Sequence, residues 1–187
     1  MSKEKKLKIK TNKKSYLKQD SPFYKITSKK KLAEILFSSI PVIKRLSDNN
    51  NYNVFIENIA GKRRGIQTPN DNLYKIHNRI ASLLCRIKTS DALHSGTKGR
   101  SNITNAKAHL GTNLSMLTVD LKNFYGSTKK SHVFDLFYNT FKCTSDVADL
   151  ISNLVTYQEY LPTGSQSSMV LAYLANIKMF NEIQSYA

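Results

Sequence analysis

Asp120 is the carboxylate of this sequence whose setting best suits metal chemistry. It closes an apolar run, residues 114–121, and polar and aromatic residues follow it at positions 122–125. The run predicts a buried strand, whose rigid backbone would hold an exposed carboxylate for a hard divalent ion. The backbone N–H groups that follow would receive phosphate oxygens near a helix start. The alternative is that Asp120 only ends a strand as a turn or cap residue.

A second candidate stretch, residues 94–106, combines cations with glycines. Its two glycines would let the backbone approach a partner closely, and Lys98 and Arg100 would contact phosphates. Ser101 is predicted to cap a helix whose N-terminus favours an anion. The residue order is not that of a Walker A phosphate loop. The alternative is a solvated basic loop without a ligand.

Two turns are also candidates for ligand binding. Residues 61–65 place three cations in the turn of a predicted hairpin, which is either a phosphate clamp or an exposed turn. Residues 160–168 offer hydroxyl groups and backbone donors at a helix start, or form an ordinary helix cap. Two histidines in predicted helices, His77 and His132, are expected to be packed or solvated and receive no catalytic role.

The composition limits the class of protein. In 187 residues, 29 Lys and Arg stand against 13 Asp and Glu, a formal net charge of +16. This excess favours nucleic acid or an acidic membrane surface as a partner. No apolar run approaches the roughly 20 residues of a membrane span, and no apolar region follows the Lys-rich start as in a secretory signal. Two cysteines cannot build a disulfide framework or a Cys-based zinc site, so a reducing, cytoplasmic setting is expected.

The elements that must position these residues are mostly helical. The first 20 residues are predicted to be flexible, as a phosphate-tracking arm or as a solvated tail. Apolar spacing and capping residues then predict a hairpin over 52–68 and helices over 28–47, 70–88, 101–110, 129–141, 145–158 and 167–183, with Pro41 kinking or splitting the first.

Taken in order, these stretches resemble the motifs of retron-type bacterial reverse transcriptases. The resemblance covers residues 27–186 and rests on ordered matches with gaps like those of the family. The matching residues are Gly61-Lys62-Arg63-Arg64, Pro69-Asn70, Lys98-Gly99-Arg100-Ser101-Asn102-Ile103-Thr104-Asn105-Ala106, Val119-Asp120-Leu121-Lys122-Asn123-Phe124-Tyr125 and Leu161-Pro162-Thr163-Gly164-Ser165-Gln166-Ser167-Ser168.

The resemblance implies an α+β fold, that of the right-handed polymerases with fingers, palm and thumb. It divides the chain into a basic flexible arm over residues 1–27, fingers over 28–113 and a partial palm over 114–187. The implied activity is RNA-directed DNA synthesis in a retron or a related antiviral defence system. By this resemblance the chain ends before the Tyr-x-Asp-Asp hairpin of the palm, and it lacks the thumb.

The resemblance also implies roles for individual residues. Asp120 would be the first catalytic carboxylate and would hold Mg²⁺ ions together with Leu121. Arg64 would hold the triphosphate, and Tyr125 would exclude a 2′-hydroxyl. The implied nucleotide-binding residues are Lys62, Arg64, Leu121, Phe124, Tyr125, Thr163 and Gly164, and the implied nucleic-acid contacts are Lys98, Arg100, Ser101 and Asn105.

The sequence departs from the family at several positions. Thr163 stands where the family usually has Gln, Asn123 where it has an acidic residue, and Gln166 and Met169 where Pro is common. Because two close divalent cations repel strongly without several carboxylates, Asp120 by itself cannot complete the site. We therefore expect the chain alone to be inactive, either as a fragment or as one part of a split enzyme.

The expected partners follow from the same resemblance. They are a structured RNA that serves as template and primer, deoxynucleoside triphosphates, a chain that supplies the remaining palm and thumb, and an effector protein, but no membrane. Two other functions stay open. One is a non-catalytic RNA-binding scaffold derived from a polymerase, and the other is a defence protein that synthesises DNA without a template.

Overall fold

The structure is a computed structural model that describes residues 9–11, 14–59, 61–95, 97, 99–111 and 117–186. Helices dominate, and a single hairpin supplies the strands named here. In chain order the elements are α1 (Lys29–Ile35), α2 (Ile40–Leu46), β1 (Tyr52–Ile59), β2 (Lys62–Pro69), α3 (Asp71–Leu84), α4 (Asn102–Lys107), α5 (Phe124–Ser127), α6 (Lys130–Asp135), α7 (Ser145–Val155), α8 (Ser168–Ala175) and α9 (Ile177–Tyr186).

Local signals set several helix boundaries as the sequence predicts. The Ser28 hydroxyl accepts the N–H of Lys31 at 3.2 Å and begins α1. Pro41 lies in the first turn of α2, where its missing N–H costs no helical hydrogen bond, so the predicted split of this segment is confirmed. Ser101 caps α4, as expected, and α3 begins directly after its cap Asn70, close to the predicted start at residue 70.

Strands β1 and β2 form the predicted hairpin. They pair antiparallel from Tyr52 opposite Pro69 to Ile59 opposite Lys62. Most of the hairpin is exposed, whereas Tyr52 and Pro69 at its base are buried. The base is therefore anchored in the protein and the turn end extends into solvent, which makes the fold a mixture of helices and a small sheet.

The core surrounds α7. Its residues Val147, Ile151 and Leu154 are fully buried, and the helix packs against α1, α2 and α6. A π-helical turn, Leu136–Thr140, continues α6 toward this core. Such complete burial makes α7 the central element of the described fold.

An aromatic cluster ties the N-terminal residues to this core. The rings of Phe23 and Phe137 lie 5.7 Å apart, those of Phe137 and Phe141 lie 5.4 Å apart, and all three are fully buried. Truncating a buried Phe typically costs about 3–5 kcal/mol of stability. Phe23 and the buried Ile26 therefore anchor the last residues of the segment predicted as a flexible arm, residues 1–27.

The buried strand predicted over residues 114–121 is wrong where the structure describes it. Residues 117–121 form no strand, and Leu117 and Val119 are 89% and 71% exposed. Positions 112–116 lie outside the described residues. An apolar run becomes a buried strand only when neighbouring strands pair with it, and no described strand pairs with residues 117–121.

The last predicted helix, residues 167–183, is two helices. Asn176 separates α8 from α9, and its backbone leaves the helical region at φ −107° and ψ 17°. The Asn176 side chain donates to the Thr128 hydroxyl at 3.1 Å and to the Ala172 carbonyl at 2.8 Å. Asn side chains compete in this way with helical hydrogen bonds, which explains the break.

Other predicted helices are shorter or begin later than expected. Helix α3 ends at Leu84 rather than near residue 88, α4 ends at Lys107 and α7 ends at Val155. The residue that precedes α6 is Lys129, whereas Ser127 or Thr128 was predicted as its cap. Helix ends depend on tertiary contacts and fraying, which the apolar spacing does not encode.

Candidate nucleotide-binding site

The turn after α7, residues 161–168, lies directly against strand β2. The Gly164 N–H donates to the Gln67 carbonyl at 3.1 Å, and the Thr163 N–H donates to the Gln67 side-chain oxygen at 3.2 Å. The Thr163 hydroxyl lies 3.1 Å from the Gly65 carbonyl and from the same Gln67 oxygen. Two of the predicted site residues, Thr163 and Gly164, are thus fastened to the strand that carries Arg64.

The absence of a side chain at position 164 is what permits this close approach. A Cβ atom there would lie 2.6 Å from the Thr68 hydroxyl oxygen and 2.7 Å from the Gln67 carbonyl oxygen. Real Cβ atoms do not come so close to a backbone oxygen, because the repulsion is too steep. The glycine of this motif therefore has a packing reason in the structure, separate from any ligand.

His77, on α3, lies beneath the same turn and is fully buried. Its Nδ1 atom lies 2.5 Å from the Ser165 hydroxyl and 3.2 Å from the Ser167 hydroxyl, and its Nε2 atom lies 2.9 Å from the Leu154 carbonyl. Burial lowers the pKa of His77 to about 4, against a smaller opposite effect of the Leu154 carbonyl. The imidazole is therefore neutral at pH 7.

The cations of the hairpin lie at its exposed end. Lys62, Arg63 and Arg64 begin strand β2, and all three are exposed. In the register of the hairpin, Arg64 stands opposite Glu57. The exposed cations fit a surface that meets phosphates, and their role in nucleotide binding stays a prediction.

The segment around Asp120 has a different character. Asp120 and Leu121 are exposed, and Asp120 makes no hydrogen bond or ion pair to any residue that the structure describes. Asn123 follows in the left-handed conformation, at φ 50° and ψ 48°, which Asn adopts more readily than most residues. It leads into α5, which carries Phe124 and Tyr125.

Phe124 and Tyr125 line a cavity of about 980 Å³ together with Arg100. The Phe124 ring packs edge-on against Phe180 at 5.9 Å, and burial raises the pKa of Tyr125. Tyr125 is therefore partly covered by protein while one side of it faces open space. This setting leaves room for a ligand beside its ring.

The basic loop is held together by Arg100. The guanidinium donates to the Asp91 carboxylate and the Asp91 carbonyl, both at 2.5 Å, and to the Leu93 carbonyl at 2.9 Å. Ser101 and Asn105 are exposed at and within α4, whereas Lys98 lies outside the described residues. Arg100 thus stabilises its own loop, and whether it also contacts phosphates stays a prediction.

Metal binding has limited support in this geometry. Asp120 and the backbone of Leu121 supply hard oxygen atoms, the donors that Mg²⁺ prefers. Within the described ranges, no three His, Cys, Asp or Glu side chains lie close enough together to hold a metal ion. Asp120 is therefore at most one ligand of a metal site, and its role in metal binding stays a prediction.

Comparison with known proteins bears on the predicted resemblance. The chain is 31% identical over 121 residues to the retron Se72 reverse transcriptase of Salmonella heidelberg (strain 579083-10). The aligned region covers 64% of this chain and 31% of that protein. It is 29% identical over 108 residues to the retron Ec86 reverse transcriptase of Escherichia coli. Here the aligned region covers 58% of this chain and 33% of that protein. The chain is similar to retron reverse transcriptases.

This similarity confirms the resemblance predicted from the ordered motifs, and it implies a polymerase fold. The chain spans about a third of the length of the curated relatives it matches. No protein-family model matches the chain. None of the described helices combines the length and the hydrophobicity that crossing a bilayer requires.

Two residues hold this turn in ways that the sequence did not predict. His77 was expected to be packed or solvated, and its full burial confirms packing, but its bond to the turn of Thr163 and Gly164 was not predicted. Gln67, which also holds this turn, was not singled out. His77 and Ser165 are 88 positions apart, and Gln67 and Thr163 are 96 apart. No local spacing signal connects residues at such separations.

Proposed function

We propose that the chain forms the fingers, over residues 28–113, and the first part of the palm, over residues 114–187, of an RNA-directed DNA polymerase of the retron type. The observation that carries this proposal is its similarity to two retron reverse transcriptases. The motif order supports it, and so does the turn of Thr163 and Gly164 on the strand that bears Arg64.

In this proposal the fingers hairpin and the turn form two sides of the nucleotide pocket. Lys62 and Arg64 bind the triphosphate as exposed cations. Thr163 and Gly164 border the pocket, and their fixed position on β2 keeps the cations in register with it. Because binding geometry controls the rate of group transfer, a fixed pocket wall is useful to the reaction.

Phe124 and Tyr125 form the wall beside the sugar. Tyr125 is half-buried and lines the cavity, whereas Lys62, Arg64, Thr163 and Gly164 do not line it. The proposal that the ring limits the space at the 2′ position therefore rests on the family resemblance. Tyr125→Ala should then let ribonucleotides compete, which is measured as the ratio of kcat/KM for a ribonucleotide and its deoxy counterpart. A general packing role for the ring predicts an unchanged ratio, together with about 3–5 kcal/mol of lost stability.

Asp120 is proposed as one carboxylate of a two-metal site, with the Leu121 backbone as a further oxygen ligand. When bound, two Mg²⁺ ions would stabilise the attacking and leaving oxygens of nucleotidyl transfer. Asp120 would hold its carboxylate at the exposed edge of the palm for that purpose. A two-metal site needs several carboxylates, and the described residues bring no three possible ligands together, so we expect that the 187-residue chain by itself does not polymerise.

The charge of the chain supports binding to a structured RNA that acts as template and primer. A net charge of +16 favours contacts with phosphates, and the basic arm and the loop around Lys98 carry several of the cations. Ser101 and Asn105 are exposed and would contact the same backbone. The two free cysteines Cys85 and Cys143 fit work in a reducing setting such as the cytoplasm. An effector protein is a further proposed partner, which rests on the resemblance alone.

Primer extension tests the proposal. The polymerase that contains these residues should extend a DNA primer on RNA with Mg²⁺ and deoxynucleotides, and sequencing of the product should recover the complement of the template. RNA binding without extension would instead indicate a scaffold. Products unrelated to the template would indicate untemplated synthesis. Either result would overturn RNA-directed synthesis as the function.

A further inference from the structure

The strongest unassigned feature is the buried polar cluster of His77, Ser165 and Ser167. His77 and Ser167 are fully buried, and Ser165 is half-buried above them. The two serine hydroxyls lie 3.1 Å apart, and the Ser167 N–H donates to the Ser165 hydroxyl at 3.3 Å. Because buried polar groups are costly unless paired, a cluster with this many partners acts as a unit.

The proton positions in the cluster follow from its geometry. The carbonyl of Leu154 can only accept, so the Nε2 atom of His77 carries the proton and donates to it at 2.9 Å. The Nδ1 atom of this neutral imidazole then accepts, and the Ser165 hydroxyl donates to it. The Ser167 hydroxyl lies 3.2 Å from the same Nδ1 atom, so His77 links the end of α7 to two serines of the turn after it.

The turn continues this connection to the hairpin. Its ends are closed by the Ser168 hydroxyl, which donates to the Pro162 carbonyl at 2.6 Å. Its middle is fixed to β2 by the N–H groups of Thr163 and Gly164. One side of the turn therefore faces His77 and the other faces the strand that bears Arg64.

We propose that His77 is a positioning residue that sets the turn of residues 163–167 against strand β2 and thereby orients the hairpin that carries Arg64. The contacts on which this inference rests are present whether or not the chain is part of a polymerase. Its consequence for a nucleotide pocket does rest on the proposed function. His77 itself touches no reacting group, since it is buried beneath the turn.

Amide hydrogen exchange of the 187-residue chain, followed by NMR, tests the proposal. The reporter is the Gly164 N–H, whose bond to the Gln67 carbonyl exists only when the turn lies on β2. In His77→Leu, and in the milder double variant Ser165→Ala/Ser167→Ala, we expect exchange at Gly164 to become about tenfold faster or more. His77→Gln keeps one donor and one acceptor and should restore part of the protection.

The controls separate positioning from general loss of stability. Ser152→Ala removes a buried hydroxyl that donates to the Asp149 carbonyl within α7 and has no link to the turn. This variant should not make the Gly164 amide exchange faster than the amides of α7 do. A merely structural role for His77 would accelerate Gly164 and the α7 amides alike, and that result would overturn the proposal.

The exchange measurement needs no nucleotide, RNA or metal. Selective acceleration at Gly164 therefore supports the positioning role even if primer extension fails. Conversely, an active polymerase whose Gly164 amide is insensitive to all three variants would retain the proposed function and lose this inference. The two proposals thus fail by different measurements.

Discussion

The turn of Thr163 and Gly164 and the segment of Asp120 are two parts of one proposed site, and they are held in opposite ways. The turn bonds to β2 on one side and to buried His77 on the other. Asp120 is exposed and bonds to no described residue. The described residues therefore hold the proposed wall of the site in place, whereas its proposed metal-binding part has little support within them.

Because of this difference, the effects of substitutions on activity can be distinguished from their effects on stability. A group that has many contacts cannot be changed without affecting the fold, because those contacts are lost with it. An exposed carboxylate that bonds to none of the described residues should cost little to replace, so a large effect of replacing it points to function. The four predictions below test this separation, from the largest expected effect to the smallest.

Asp120→Asn should abolish synthesis and leave stability unchanged. The substitution keeps the size of the side chain and removes one metal-neutralising charge. In the polymerase that contains these residues, we expect the extension rate to fall at least about a thousandfold. Primer extension and thermal melting of the same preparations measure the two effects.

Asp149→Asn is the matched control for this change, because Asp149 is also an exposed Asp and belongs to no predicted site. It should retain normal extension. If Asp120→Asn were active, or if it lowered Tm by the amount expected for a lost cap, Asp120 would belong with the structural residues.

His77 should make the turn region sensitive to acid. Its pKa of about 4 in the folded chain lies below the ordinary value of 6.5, so between these pH values the unfolded state binds the proton and the folded state does not. The contribution of neutral His77 to the free energy of unfolding is therefore fully present above pH 6.5 and is lost as the pH falls toward 4. The loss is up to about 3 kcal/mol for a shift of this size.

Denaturant unfolding from pH 7 to pH 4 measures this loss. His77→Gln should remove the loss of stability that is caused by protonation of His77. The variant should therefore lose less stability than the original chain over the same pH range. Tyr52 contacts His77, but burial raises its pKa further above its usual range, so Tyr52 does not titrate here. Equal slopes for the two proteins would show that the imidazole is accessible to protons in the folded state.

Gly164→Ala should destabilise the chain, because its Cβ would collide with the Gln67 carbonyl and the Thr68 hydroxyl. Inserting a methyl group into a packed contact costs about 1–3 kcal/mol. Gly65→Ala is the control on the same hairpin, since its Cβ would meet only the Gln67 amide nitrogen at an ordinary 3.6 Å. Urea denaturation should show a lower midpoint for the first variant and almost no change for the second.

Lys98→Gln should weaken RNA binding in a salt-dependent way. Losing one phosphate contact should reduce the slope of log affinity against log salt by about 0.7–0.9. Lys44→Gln makes the same change of charge on α2 and should leave the slope as it is. Equal effects of the two variants would mean that net charge, and not the basic loop, drives binding.

The sequence determined the features that depend on near neighbours. The caps at Ser28 and Ser101, the helix start near Asn70 and the kink or split at Pro41 were predicted, because each needs only a few adjacent residues. The β1–β2 hairpin and the family resemblance were likewise readable, since turn residues and ordered motifs are properties of the chain itself.

Only the tertiary structure decided which distant residues meet. His77 and Ser165 come together across 88 positions, and Gly164 fits against Gln67 because no Cβ stands between them. The same holds for residues 117–121, where apolar spacing predicts a strand but cannot supply the neighbours that would bury it. Apolar periodicity records which face of a segment prefers burial, whereas burial itself depends on what the rest of the chain brings to that face.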